Sequence, residues 1–413
     1  MKMFRKLLSL DEAQRVIHRH FKPSILGVEE IKLLEAHNRV LAKDATAKID
    51  IPPFNRSTVD GYAVKAADTF GADENKPAKL KLCGIVKVGE PTKIAVTRGT
   101  AVEIVTGAPI PEGTDAVVMV EQTERKDNNL YVYSAVAKDE NIMKAGADIK
   151  KGEKILEAGQ LLGSREIGVL AAMGMAKVNV YAIPRVAVLS TGAEVTEPGE
   201  KLLPGKIYDI NAYSLTGAVL ESGGKPIYLG VFPDEMSKLQ KALRQALASA
   251  DMVVTSGGVS VGPKDVMPKA LDSLGKPCVV VCGIAIKPGK PTTVALIDKK
   301  LVFSLPGHPT SALLVFHLLA RPIIECMAGK KAEKNLSVKA SMTMRIFPAK
   351  GRRTFIMVRL KRGKSNRLVA EPVPTGLSGA ITTLAKADGF VEIAENQQYI
   401  DVNEEVIVQL FKR

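Results

Sequence analysis

The sequence predicts a multidomain α/β plus β protein: a three-layer α/β domain with a mainly parallel sheet, an inserted β domain, a helical linker domain and a C-terminal β barrel. Three observations predict it. From Arg185 to about residue 330, short apolar runs alternate with helix-length amphipathic ones, the pattern of βαβ units. Residues 51–149 and those after about 331 instead alternate with period two between Gly, Pro and Asn breaks. The chain's 413 residues also exceed what one hydrophobic core supports. The expected division is a linker domain from 1–50 and 150–183, the inserted β domain at 51–149, the α/β domain at 184–330 and the barrel at 331–413.

The elements follow in order. "SLDEAQRVIHRHF" opens with Ser9 and Glu12 at capping-box spacing, followed by helical periodicity. "AVEIVTGAPI", "AVVMVEQT" and "LYVYSAVA" are short strands of the β domain. "LLGSREIGVLAAMGM" returns to helix, with Ser164 as its expected cap. Next come "RVAVLS", the helix "AYSLTGAVLESGG", "KPIYLGVF", the helix "DEMSKLQKALRQALASA", "DMVVTS" and "PKDVMPKALDSLG". "CVVVCGI", "TTVALID", "LVFSLP" and the apolar helix "TSALLVFHLLARPIIECM" complete the α/β domain. Beyond the Lys-rich "AGKKAEKN", "LSVKASMTMRIF", "TFIMVRLKR", "FVEIAEN" and "EEVIVQLF" are barrel strands.

Composition narrows the function. A net charge of +14 calls for an anionic partner. Nucleic acid is disfavoured, because there is no Trp, aromatics are 5% and the basic residues are dispersed along the chain. The N-terminus "MKMFRKLLSL" lacks a signal-peptide apolar core, and no run approaches the roughly 18 apolar residues of a membrane span, so a cytoplasmic protein with no membrane contact is expected. Cys83, Cys278, Cys282 and Cys326 are too few for a disulfide framework and lack the paired spacing of a zinc site. Cys278 and Cys282, four apart in a strand, are expected on one face.

Gly/Pro-punctuated turns follow several of the apolar runs. Thr191, Gly192 and Glu194 follow one strand; Ser256, Gly257, Gly258, Ser260 and Gly262 follow another. In "LPGHPTSALL", Pro306 and Gly307 lead to a helix expected to begin at Thr310 or Ser311. Glycines let backbone N–H groups approach phosphate oxygens, and hydroxyls add donors, so three such turns on one sheet edge point to a phosphate-bearing ligand. None matches a Walker or dinucleotide pattern. "IKPGKP" holds Lys287 and Lys290 on a proline-stiffened turn. Asp60, Asp148, Glu194, Asp234 and Asp265 are the acidic candidates. Asp234 also reads as a helix cap and Asp60 as a turn residue. Carboxylates beside phosphate loops typically hold Mg²⁺.

The ordered set "PPFNRSTVDGYAV", "TGAPIPEGTDAVVMVEQT", "GADIKKGE", "LSTGAEV", "GKIYDIN", "TSGGVSVGPKD", "IKPGKP" and "LPGHPTSA" resembles the molybdopterin molybdenumtransferase family, the MoeA proteins and the gephyrin E domain. The resemblance spans essentially the whole chain. It implies a Mg²⁺-dependent homodimeric enzyme that inserts molybdate or tungstate into adenylylated molybdopterin and releases AMP. It also implies a contact with the adenylyltransferase of the same pathway. By resemblance, Asp60, Thr106, Asp148, Glu194, Asp234 and Asp265 match the functional acidic and hydroxyl positions, with Asp60, Glu194, Asp234 and Asp265 as metal ligands. Lys287, Lys290, Ser311 and Ser378 match the oxyanion group. Two positions depart from the pattern: Asn55 stands where many relatives have Asp, and Met357 where many carry an anion-binding Arg. Arg352, Arg353 or Arg359 is a candidate to compensate. Two alternatives stay open, the adenylyltransferase itself and a gephyrin-like scaffold without catalysis.

Overall fold

The computed structural model describes residues 7–258, 266–331, 336–363, 366–373 and 381–411. The chain divides into two compact units. One comprises residues 1–30, 38–42 and 179–413, and the other comprises 31–37 and 43–178. Residues expected to form a linker domain are thereby shared between the two.

The first helix, α1 (Leu10–His20), starts as its sequence dictates: the Glu12 N–H donates to Ser9 Oγ at 3.2 Å, and the Ser9 N–H donates to Glu12 Oε2 at 2.8 Å. Its buried face, Leu10, Ala13 and Ile17, joins the core of the first unit.

The second unit is built on a mixed six-stranded sheet. Its strands are β1 (Gly61–Val64), β2 (Ala78–Val86), β3 (Thr100–Ile104), β4 (Ala116–Met119), β5 (Thr123–Lys126) and β6 (Asn129–Val132). They lie in the order β4-β1-β3-β2-β6-β5, with only β2 and β3 parallel. Gly61 is required here: a Cβ would stand 1.9 Å from the Val118 carbonyl oxygen of the neighbouring strand. The helix α2 (Ser164–Ala172) corrects one expectation. Gly163, not Ser164, is its N-cap, and the Gly163 N–H is held by Glu166 Oε2 at 2.9 Å.

In the first unit the α/β layer contains β7 (Arg185–Thr191), α3 (Asn211–Glu221), β8 (Lys225–Phe232), α4 (Met236–Ser249), β9 (Met252–Ser256) and α5 (Met267–Asp272). It continues through β10 (Cys278–Cys282), β11 (Thr293–Ile297), β12 (Lys300–Leu305), α6 (Pro309–Val315) and α7 (Arg321–Met327). The sheet order is β8-β7-β9-β12-β11-β10. The first four strands are parallel, while β11 runs against them and β10, antiparallel to β11, runs with them at the edge, so the sheet is mixed. Successive residues of β7 feed opposite cores: Val186 and Val188 pack with α3 and α6, Ala187 and Leu189 with α4 and α5. Burial on both faces explains the continuous apolar run. An irregular register between Val279 and Val281 breaks the alternation on which a shared face for Cys278 and Cys282 depended.

The long apolar helix begins at Pro309, one residue before the expected start, with His308 at the N-cap position. Residues Phe316–Ala320 form a π-turn, with the Arg321 N–H bonded to Phe316 O. The widened turn stands where Pro322 supplies no N–H to the ladder. This run, Pro309–Met327, is apolar and long enough to cross a membrane, but it is mostly buried in the fold, which makes it a core helix.

The C-terminal strands β13 (Ser337–Met342), β14 (Arg353–Arg362), β15 (Leu368–Pro372), β16 (Gly389–Ile393) and β17 (Glu405–Leu410) close in the cycle β14-β15-β13-β17-β16-β14, a five-stranded barrel. Ala340, Val358, Val391 and Val408 fill its interior.

Two glycine substitutions test this packing. Gly61→Ala is expected to cost about 1–3 kcal/mol by overpacking. Gly168→Ala, mid-helix with nothing within 4 Å of the added methyl, is expected to gain about 0.5–1 kcal/mol. Urea midpoints read both, and equal effects would contradict the assignment.

Candidate functional site

The four parallel strands place their carboxyl ends on one edge. From β7 the chain crosses through α3 to β8 on one side, and from β8 through α4 to β9 on the other. The switch point therefore lies between β7 and β9, where open sheets leave a ligand crevice.

Thr191 ends β7 and Ser256 ends β9, so Thr191, Gly192, Ser256, Gly257 and Gly258 meet there. The fit is close. A Cβ on Gly257 would lie 2.1 Å from Thr191 O. One on Gly258 would lie 2.9 Å from Thr191 Oγ1 and 3.3 Å from Asp234 Oδ1. Both glycines also have positive φ, +94° and +67°. Thr191 Oγ1 is buried without a partner among the described residues. Asp234 corrects an expectation: Glu235 is the N-cap of α4, so the Asp234 carboxylate is not spent on capping. Glu194 folds over Gly192, whose Cβ would stand 2.9 Å from both carboxylate oxygens.

Pro306 and Gly307 follow β12, which pairs with β9. Ser311 is buried in the first turns of α6. Lys287 and Lys290 flank a turn whose Gly289 abuts Val315 of α6, with a would-be Cβ 2.6 Å from Val315 Cγ2. The turn is fixed on both sides. Thr292 Oγ1 donates to Gly289 O at 2.7 Å, and Lys287 pairs with Thr354 of β14. Lys287 is exposed and Lys290 half-buried.

In the second unit, Asp60 and Thr106 are joined directly. Asp60 Oδ1 accepts the Thr106 N–H at 2.7 Å and its hydroxyl at 2.9 Å. These donors, the backbone N–H first, hold the Asp60 carboxyl below its ordinary range. Asp148 is exposed on a loop that pairs with the 51–57 segment; its N–H donates to Ile51 O at 3.0 Å. Asn55 belongs to the same zipper, its Oδ1 accepting the Ala145 N–H at 2.9 Å. An aspartate would offer the same acceptor, so the departure at Asn55 removes a charge and keeps the loop tie.

Ser260, Gly262, Asp265 and Ser378 lie outside the described residues. Among the described residues, no three Asp, Glu, His or Cys groups gather as a metal cluster. Sequence reasoning missed Asp209 and Asn211, at the end of "GKIYDIN". Asp209 Oδ1 accepts from Ser190 Oγ at 2.9 Å and from the Ala212 N–H at 3.0 Å. Asn211 Nδ2 donates to Ser256 Oγ and to Gly307 O, both at 2.7 Å. Polar residues at a helix start facing an apolar sheet were the available signal.

Met357 is buried and lines a cavity of about 440 Å³ with Thr310, His317 and Thr383. Its described lining contains Glu221 and Asp388 but no Lys or Arg. Burial, reinforced by the Arg321 charge, pushes His317 down to about 4, so its ring is neutral. The proposed substitutes for an arginine are placed elsewhere. Arg353 is bidentate to Asp11 at 2.9 Å and also meets Glu392 and Glu395. Arg359 is exposed opposite Glu371.

Fold and site together define the class: a multidomain α/β protein with a donor-rich crevice at the carboxyl edge of its sheet. The chain matches the MoeA N-terminal region (domain I and II) over residues 8–174, a probable molybdopterin binding domain over 187–325, and the MoeA C-terminal region (domain IV) over 339–411. It is 33% identical to a putative molybdopterin biosynthesis protein of Methanocaldococcus jannaschii, covering 100% of both chains. It is 34% identical to a molybdopterin molybdenumtransferase of Haemophilus influenzae, covering 98% of this chain and 99% of that one. A crystal structure of a Pyrococcus horikoshii molybdopterin biosynthesis MoeA protein superimposes with a TM-score of 0.81 at 40% identity, covering 99% of this chain and 100% of that one. The chain belongs to the molybdopterin molybdenumtransferase (MoeA) family.

Removing one donor tests the Asp60 pair. In Thr106→Val the Asp60 pKa is expected to rise yet stay below its ordinary value, since the backbone N–H remains. Stability that this depressed carboxyl contributes is present above its unfolded pKa and lost as pH falls through the folded one, so the variant loses less of it in acid. Carboxyl NMR titration checks the shift; an unmoved pKa would contradict the pairing.

Proposed function

We propose that this enzyme of molybdenum cofactor biosynthesis takes adenylylated molybdopterin and molybdate or tungstate, inserts the metal at the dithiolene and releases AMP. The observation that carries the reading is the crowding of Thr191, Asp234 and the Gly257–Gly258 turn at the switch point, in a chain collinear with full-length molybdenumtransferases. Such a crevice suits a phosphate-bearing substrate, whose oxygens take the Gly258 N–H and the buried Thr191 hydroxyl.

Mg²⁺ fits the donor set, since it takes hard oxygens, commonly one or two carboxylates plus substrate phosphates rather than an all-protein cage. Glu194 and Asp234 supply those carboxylates beside the crevice. Bound there, Mg²⁺ would neutralise phosphate charge. Asp60, Thr106 and Asp148, which lie in the second unit, are read as functional groups on the match to the family pattern. The reading includes a homodimer and a contact with the adenylyltransferase that supplies the substrate.

Lys287, Lys290 and Ser311 form the anion-binding group on this reading. Charge-assisted donors fixed on a stiff turn select a dianion without having to be ordered on binding. Attack of water on the molybdopterin phosphorus breaks its bond to the bridging oxygen and leaves growing negative charge on the departing AMP oxygens, which pre-placed N–H donors stabilise.

AMP release by the purified protein with Mg²⁺, run with molybdate, with tungstate and with neither, tests this. Release is expected to require an anion, and Lys290→Ala is expected to raise the half-maximal anion concentration about tenfold, the loss of one charge-assisted bond. No release with any anion, from folded protein that binds the adenylate, would overturn the reading.

A further inference from the structure

Asn211 lies at the start of α3 and is 9% exposed, yet its amide reaches two different turns. One N–H goes to Ser256 Oγ, at the end of β9, and the other to Gly307 O, in the turn after β12, each at 2.7 Å. Both acceptors are thus served by one NH₂ group, and this assigns the orientation of the amide. The Ser256 hydroxyl in turn donates to Pro306 O at 3.1 Å. The two turns are therefore tied twice, directly through Gly307 and indirectly through Ser256. Asp209 fixes the origin of the tie: Ser190, which donates to Asp209, is the register partner of Ser256 across the β7–β9 pair.

We propose that Asn211 is a positioning residue that sets the separation of the Ser256–Gly258 and Pro306–Gly307 turns and so aligns the N–H donors that meet the substrate's phosphate. The inference rests on the reading of the crevice given above. Asn211 touches no reacting atom; it acts through the two turns. Its chemistry is specific, because only a group with two donors at that place satisfies two acceptors. A carboxylate of the same shape would set oxygen against the Gly307 carbonyl.

The test uses Asn211→Asp and Asn211→Ala in the full chain. At neutral pH both are expected to raise the KM for adenylylated molybdopterin and the Kd for AMP about tenfold, with kcat changed less than threefold. As pH falls, the introduced carboxyl of Asn211→Asp becomes protonated and its single O–H restores one of the two bonds, so its Kd for AMP moves part of the way back toward wild type while that of Asn211→Ala does not. Packing loss alone would lower both thermal midpoints and give no acid recovery specific to Asn211→Asp, which would overturn the proposal.

A second readout needs no substrate. The Gly257 N–H donates to Leu305 O at 3.2 Å, and its hydrogen exchange is expected to accelerate in both variants at neutral pH. Unchanged exchange would overturn the tie even if the functional reading stands. Accelerated exchange in a protein that neither binds AMP nor releases it would retain the tie and remove the function.

Discussion

The architecture of the candidate site depends on one close approach, that of the Gly257–Gly258 turn to the end of β7. No side chain fits there: the nearest atoms are 2.1 Å from a Cβ on Gly257 and 2.9 Å from one on Gly258. The constraint follows from topology, since β7 and β9 are neighbours whose connections leave in opposite directions. Asp209 and Asn211 tie the start of α3 to β7 and β9, while Asp234 approaches from the start of α4.

Electrostatics divides the first unit into regions of different character. The turn carrying Lys287 and Lys290 is fixed against α6 and the barrel, and it bears cations. The cavity around Met357 has carboxylates and a neutral imidazole in its described wall. On the proposed function, oxyanion binding therefore falls to the lysine turn and Ser311, and the excess basic charge of the chain acts through such fixed positions rather than through the Met357 cavity.

Much of the fold was legible because periodicity reports burial. The continuous apolar run of β7 reflects two buried faces, and the capping box at Ser9 and Glu12 forms as its spacing demands. Helix starts shifted by a residue at Ser164, Asp234 and Thr310, where a neighbouring glycine, glutamate or histidine occupies the cap position. Those are local competitions that side-chain preference alone does not decide. The reversal of β11 was hidden because buried antiparallel and parallel strands have the same composition. The site was legible as glycine turns, whose need for backbone approach is a local property. Asp209 and Asn211 were not, because their partners Ser190, Ser256 and Gly307 come together only in the folded sheet.

The central claim is that the β7–β9 crevice receives the phosphate of an adenylate. Titrating AMP with Mg²⁺ into isotope-labelled protein and following backbone amide shifts tests it most directly. The account predicts the largest changes at Gly192, Gly257, Gly258 and Gly307. Changes confined to Gly217, Met357 and Leu384 around the other cavity, with the crevice glycines unmoved, would contradict it.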